Sequence, residues 1–264
     1  MKYRIAADAR PQFRLLVLAT IASIALWLIP YASILTYPFR LFVTFIHEGS
    51  HALAALLTGN TVASLSVAPD GSGLTYATQG FFSGVLISSA GYLGAMTFGV
   101  LLLFAIRKSV KSKLVLFTSA GIVLALTILF GLFKPILTFS GLSGIPFTLI
   151  SGVAIGAGLI ALGMYASSKV AQFFVGFLAV QCVLNALFDL GNVFLLSTPL
   201  NGTRVMTDAV NMETATHIPA FFWTLIWIGL SVVLLTIGLR LYAATQSATR
   251  PTQPDLPFES ATDI

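Results

Sequence analysis

His47-Glu48-Gly49-Ser50-His51 holds the residue types that hydrolytic metal chemistry needs, at a spacing that suits it. On a helix, residues four apart share a face, so both imidazoles can reach one metal ion. Glu48 lies beside them and can take a proton from metal-bound water. Zinc in such sites takes a third protein ligand and keeps a fourth position open. A five-letter HExxH pattern also arises by chance. Here, however, two of only three histidines in the chain fall inside it. The surrounding run, Leu41 to Leu57, is otherwise apolar, so Glu48 would be an intramembrane carboxylate, which is costly and as a rule functional.

The third ligand must come from elsewhere in the chain. Of the nine acidic residues, only Glu48 and Asp189 fall inside apolar spans, which makes Asp189 the leading choice. Asn185, four residues earlier, shares its face and can donate a hydrogen bond to a ligand or an oxyanion. Asp208 is the next choice if the polar stretch 197–217 folds back into the bundle, and His217 is a third.

The elements that must position these groups belong to a membrane. The 264 residues are 57% hydrophobic and 9% charged, with mean hydropathy +0.94. A soluble domain carries about 25% charged residues, so an ordinary cytosolic domain and a disordered chain are both excluded. The single cysteine, Cys182, excludes an internal disulfide and a cysteine-based metal cluster. The net charge of +5 points to lipid headgroups and topology rather than to nucleic acid.

The expected fold is an all-α polytopic membrane protein with about seven transmembrane helices, within a range of six to eight. A basic segment, 1–14, precedes one transmembrane domain, 15–242, and a polar, disordered tail, 243–264, follows it. The spans read as 15–39, 41–57 (the HExxH helix), 81–106, 114–133, about 146–166, 170–196 and 218–239. Arg40 punctuates the first two. Gly152 and Gly156 form a small-residue stripe for close helix packing. Between the HExxH helix and the next span, residues 60–80 read as a small strand-like hairpin, with turn signals at Pro69-Asp70-Gly71 and Ser72-Gly73. Gly71 and Gly73 are most simply turn residues.

Sidedness stays open at this level. Lys2, Arg4, Arg10 and Arg14 mark the N-terminus, and Arg107, Lys108, Lys111 and Lys113 mark a loop three spans later. That count puts two basic clusters on opposite faces, unless one span is re-entrant.

The runs FVTFIHEGSHALAALLTGN (42–60), VAPDGSGLTYATQG (67–80), SSAGYLGA (88–95), QCVLNALFDL (181–190) and TDAVNMETATHIPAFFW (207–223) together resemble the peptidase M50B-like membrane proteins, relatives of the site-2 protease zinc metalloproteases. The resemblance covers most of residues 40–223. It implies zinc held inside the membrane by His47, His51 and an aspartate on a later helix, matched by Asp189, with Glu48 as the catalytic glutamate and Asn185 near the site. The usual Leu-Asp-Gly block is replaced by Phe188-Asp189-Leu190-Gly191 and Thr207-Asp208-Ala209.

The expected function is therefore an intramembrane zinc metalloprotease, multi-pass in the cell membrane. It would cut membrane protein substrates in or near their spanning segments. An unwound substrate stretch would pair with the strand-like region 60–80. Two rival classes are a non-proteolytic metal- or partner-binding relative and a small ion-coupled transporter. The second expects an internal repeat that the sequence does not have. Substrate and oligomeric state are not legible.

Overall fold

The computed structural model describes residues 10–29, 31, 33–197 and 206–243. The N-terminal segment before residue 10, the tail beyond residue 243 and Arg204 lie outside the described residues. Nine α-helices and one two-stranded sheet follow in order among the described residues.

Helix α1 spans Arg10–Leu28 and α2 spans Ser33–Leu57. The expected division at Arg40 is thus corrected, and residues 10–14 belong to α1. A single charge does not break a helix, whereas Pro30, in the sequence between the two, lacks the N–H that a continuous helix needs. Pro38 is accepted inside α2, as its sixth residue.

Ser23 of α1 receives a hydrogen bond from Gln181 of α7 (Ser168–Ser197) at 3.2 Å, and Ala19 packs in one cluster with Phe177 and Val180. The two helices therefore run parallel and start level. By Phe39 the chain is back beside the first third of α7, with ring centroids 4.7 Å from Phe177 and 6.5 Å from Phe174. Helix α1 therefore turns back instead of crossing, and the conflict between the two basic clusters disappears.

The hairpin is real: β1 (Val62–Val67) pairs antiparallel with β2 (Gly73–Ala77). Gly71, at φ +84°, makes the turn, but Gly73 is the first residue of β2. Its tip folds along α2: Tyr37 donates its hydroxyl to the Pro69 carbonyl at 2.5 Å, and Thr44 donates to the Gly71 carbonyl at 2.8 Å. The outer edge of β1 is closed by side chains. Thr148 Oγ1 accepts from the Val67 N–H at 2.9 Å, and Thr138 donates to the Ala63 carbonyl at 3.0 Å. Among the described residues, β2 has no strand on its other side.

The long helices are α3 (Phe81–Arg107), α4 (Ser112–Ile128), α6 (Ile145–Tyr165), α7 and α9 (Ala220–Ala243). Helix α4 continues through a π-turn (Leu129–Phe133) into the short α5 (Lys134–Thr138). Five described segments are long and apolar enough to cross a membrane. The protein is an integral, multi-pass membrane protein, but the expected count of six to eight is corrected. Helix α1 is not among the five: the chain is back beside the first third of α7 by Phe39. Arg40, His47, Glu48 and His51 lower the hydropathy of α2.

The glycine stripe of α6 packs within the chain: a Cβ at Gly152 would collide with Thr127, and one at Gly156 with Leu124, both on α4. The polar stretch after α7 contains a helix that the sequence reading did not identify, α8 (Asp208–Thr216). Thr207 caps it, accepting from the Val210 N–H at 3.3 Å.

Candidate metal centre

Helix α2 presents His47 and His51 on one face, toward α3. The imidazole Nε2 atoms lie 3.0 Å apart. The Nδ1 of His51 donates to the Ile87 carbonyl at 2.6 Å. A carbonyl only accepts, so the neutral ring carries its lone pair on Nε2, toward His47. His47 is held edge-on by Tyr92, whose ring centroid is 4.6 Å away, and Tyr92 packs in turn on Trp227 of α9.

Helix α3 comes this close because Gly91 has no side chain. A Cβ there would overlap both Nε2 atoms, and one at Gly94 would overlap Ser50.

Asp208 completes the cluster. Its Oδ2 lies 3.3 Å from His47 Nε2 and 3.4 Å from His51 Nε2. It is the first residue of α8, where the helix dipole favours a carboxylate.

Asp189, the leading ligand candidate in the sequence reading, lies on α7. It lines a cavity of about 780 Å³ together with Arg40, Asn185 and Gln181, and it makes no ion pair with either imidazole. Asn185 shares that cavity. Its amide donates along its own helix, to the Gln181 carbonyl at 2.8 Å and Oε1 at 3.0 Å. His217 sits at the far end of α8 from Asp208, as its C-terminal cap in the left-handed region, φ 60°.

Glu48 is buried, at 5% exposure, and lies against the hairpin. Thr75 of β2 donates to its Oε2 at 2.7 Å, and a Cβ on Gly73 would run into its carboxylate. Ligand atoms from His47, Glu48 and His51 all fall within 4.8 Å of one another, a group able to hold a metal ion.

The donor set fits zinc. A tetrahedral ion with bonds of about 2.0–2.1 Å has ligand–ligand edges of about 3.3–3.4 Å. The 3.0, 3.3 and 3.4 Å separations among His47, His51 and Asp208 are close to three such edges.

The chain matches the family model of Peptidase M50B-like proteins over residues 17–238. It belongs to the peptidase M50B-like family. No curated protein and no solved structure matches the chain. Family membership and the buried His-Glu-His cluster of this M50B-like chain together are consistent with an intramembrane metalloprotease.

Proposed function

We propose that the protein is a zinc metalloendopeptidase that cuts peptide bonds in or near the membrane-spanning segments of other proteins. We assign the zinc ligands as His47, His51 and Asp208. The convergence of the two Nε2 atoms and the Asp208 carboxylate beside Glu48 carries this reading. When bound, the ion lowers the pKa of a coordinated water and polarises the scissile carbonyl.

The chain's own groups do the rest. Glu48 takes a proton from the attacking water and passes it to the leaving amine. Thr75 holds Oε2 of that carboxylate and leaves Oε1 free to receive the proton. Ile87 and Tyr92 fix the ring planes of His51 and His47.

A substrate helix shields its peptide bonds with internal hydrogen bonds, so it must unwind first. The open edge of β2 can take the unwound stretch as a third strand, because β1 is closed by Thr138 and Thr148. A strand laid there passes Gly73 and Thr75, the two residues that touch Glu48. Asp189 and Asn185 line the neighbouring cavity and act there as positioning groups, not as ligands.

The test is zinc content and peptide cleavage in detergent-purified protein, parent against Glu48→Gln. The variant should keep its zinc and lose cleavage. Parent protein that carries no metal after chelator-free purification would overturn the reading.

A further inference from the structure

We infer that the bundle end formed by the α3–α4 loop, the start of α7 and the end of α9 rests on the anionic headgroups of the cytoplasmic leaflet, and that the hairpin and α8 face the opposite side. The inference rests on where the fold gathers its cations. Helix α3 runs from the hairpin to Arg107, Lys108, Lys111 and Lys113. The α6–α7 turn brings Lys169 to the same end, and α9, which leaves α8 at the hairpin end, brings Arg240. Helix α1 starts level with α7, so Arg14 joins them.

Away from that end the basic residues among the described residues are Lys134 and Arg40, the latter beside Gly71 of the hairpin tip, and the whole stretch 58–80 carries neither lysine nor arginine. Asp208 and Glu213 of α8 belong to that half. Basic residues close to helix ends are retained on the cytoplasmic side, where they are attracted to the anionic leaflet. The asymmetry is legible only in the fold, because α1 turns back and so places Arg14 with the 107–113 cations.

Orientation also sets the depth of the site. Gly91, which meets both imidazoles, lies ten residues from the hairpin end of α3, roughly 15 Å, and sixteen from Arg107, roughly 24 Å. On the proposed hydrolytic reading, the substrates are segments whose cleavage point lies in the outer half of the bilayer, served from the non-cytoplasmic side.

The test is labelling by a membrane-impermeant maleimide in right-side-out and inside-out vesicles. The parent's Cys182 is fully buried and supplies a silent background. Gln79→Cys and Ser109→Cys place one exposed thiol at each end and leave every charge in place. Gln79→Cys should label only in right-side-out vesicles and Ser109→Cys only in inside-out ones. The reverse pattern, or labelling of each from both sides, overturns the inference. A second measurement needs no substitution. A fluorescent protein that matures only in the cytoplasm, fused after the last residue, should be bright, and a dark fusion on full-length protein overturns it. Neither readout depends on zinc or on cleavage, so failure here is distinct from failure of the protease reading.

Discussion

Thr75 donates its hydroxyl to Glu48 Oε2 at 2.7 Å, joining the hairpin to the acidic residue of the HExxH helix across 27 positions of sequence. The same hydroxyl lies 3.1 Å from the Glu48 carbonyl. A hydrogen bond to a charged group contributes about 1.5–3 kcal/mol, more than a neutral one. The hairpin therefore orients the carboxylate as well as offering a strand edge. Thr75→Val should lower kcat by roughly 10- to 100-fold with zinc content unchanged. Thr75→Ser, which keeps the hydroxyl, should restore most of it. Equal activity in the valine variant would remove Thr75 from the mechanism.

Metal content separates the two aspartates. Asp208→Ala removes the carboxylate that lies 3.3 and 3.4 Å from the imidazoles and should strip the zinc. Asp189→Ala should keep zinc near parent stoichiometry and alter only turnover. Elemental analysis of both, beside His51→Ala as the metal-free reference, decides between them. Retained zinc in Asp208→Ala with loss in Asp189→Ala would return the ligand role to α7.

Gly91→Ala inserts a methyl group where the two Nε2 atoms sit. Overpacking of this kind costs about 1–3 kcal/mol. The rings must move to admit it, so zinc affinity should fall along with thermal stability. Gly158→Ala is the control, since nothing lies within 4 Å of its Cβ position. A Gly91→Ala protein with parent zinc affinity would contradict the close approach of α3 to the centre.

Chelation should lower the melting temperature. A ligand that binds only the folded state stabilises it by RT ln(1 + [L]/Kd), about 2.7 kcal/mol at one hundred times Kd. Thermal scans with and without a zinc chelator should therefore separate for the parent and coincide for His51→Ala. Parent scans that coincide would mean that the centre holds no stabilising metal.

The local parts of the centre were legible because their logic is local. His47 and His51 are one helical turn apart, and any helix puts them on one face. The hairpin was legible from its turn residues, and the membrane class from the low charge. What escaped were the long-range pairings. Asp208 ranked behind Asp189 because it stands in a polar stretch, and nothing in its spacing shows that α8 folds back onto α2, 161 residues away. Gly73 looked like a turn glycine and Gly91 carried no signal of the imidazoles beside it, since a sequence does not show which side chain occupies the space a glycine leaves. The span count was too high because apolar length marks α1 as a crossing, whereas the chain is back beside the first third of α7 by Phe39.

By itself the sequence determined the chemistry available: two imidazoles and a carboxylate on one helix face, in a chain too apolar to live outside a bilayer. Periodicity and composition suffice for that, because helix geometry fixes neighbours within one turn. The tertiary structure decided which distant carboxylate meets the imidazoles, which strand edge stays open beside Glu48, and which end of the bundle collects the cations. Those outcomes depend on contacts between segments far apart in the chain. Close packing selects them, through a glycine that admits a ring or a threonine that closes an edge, and no local spacing encodes it.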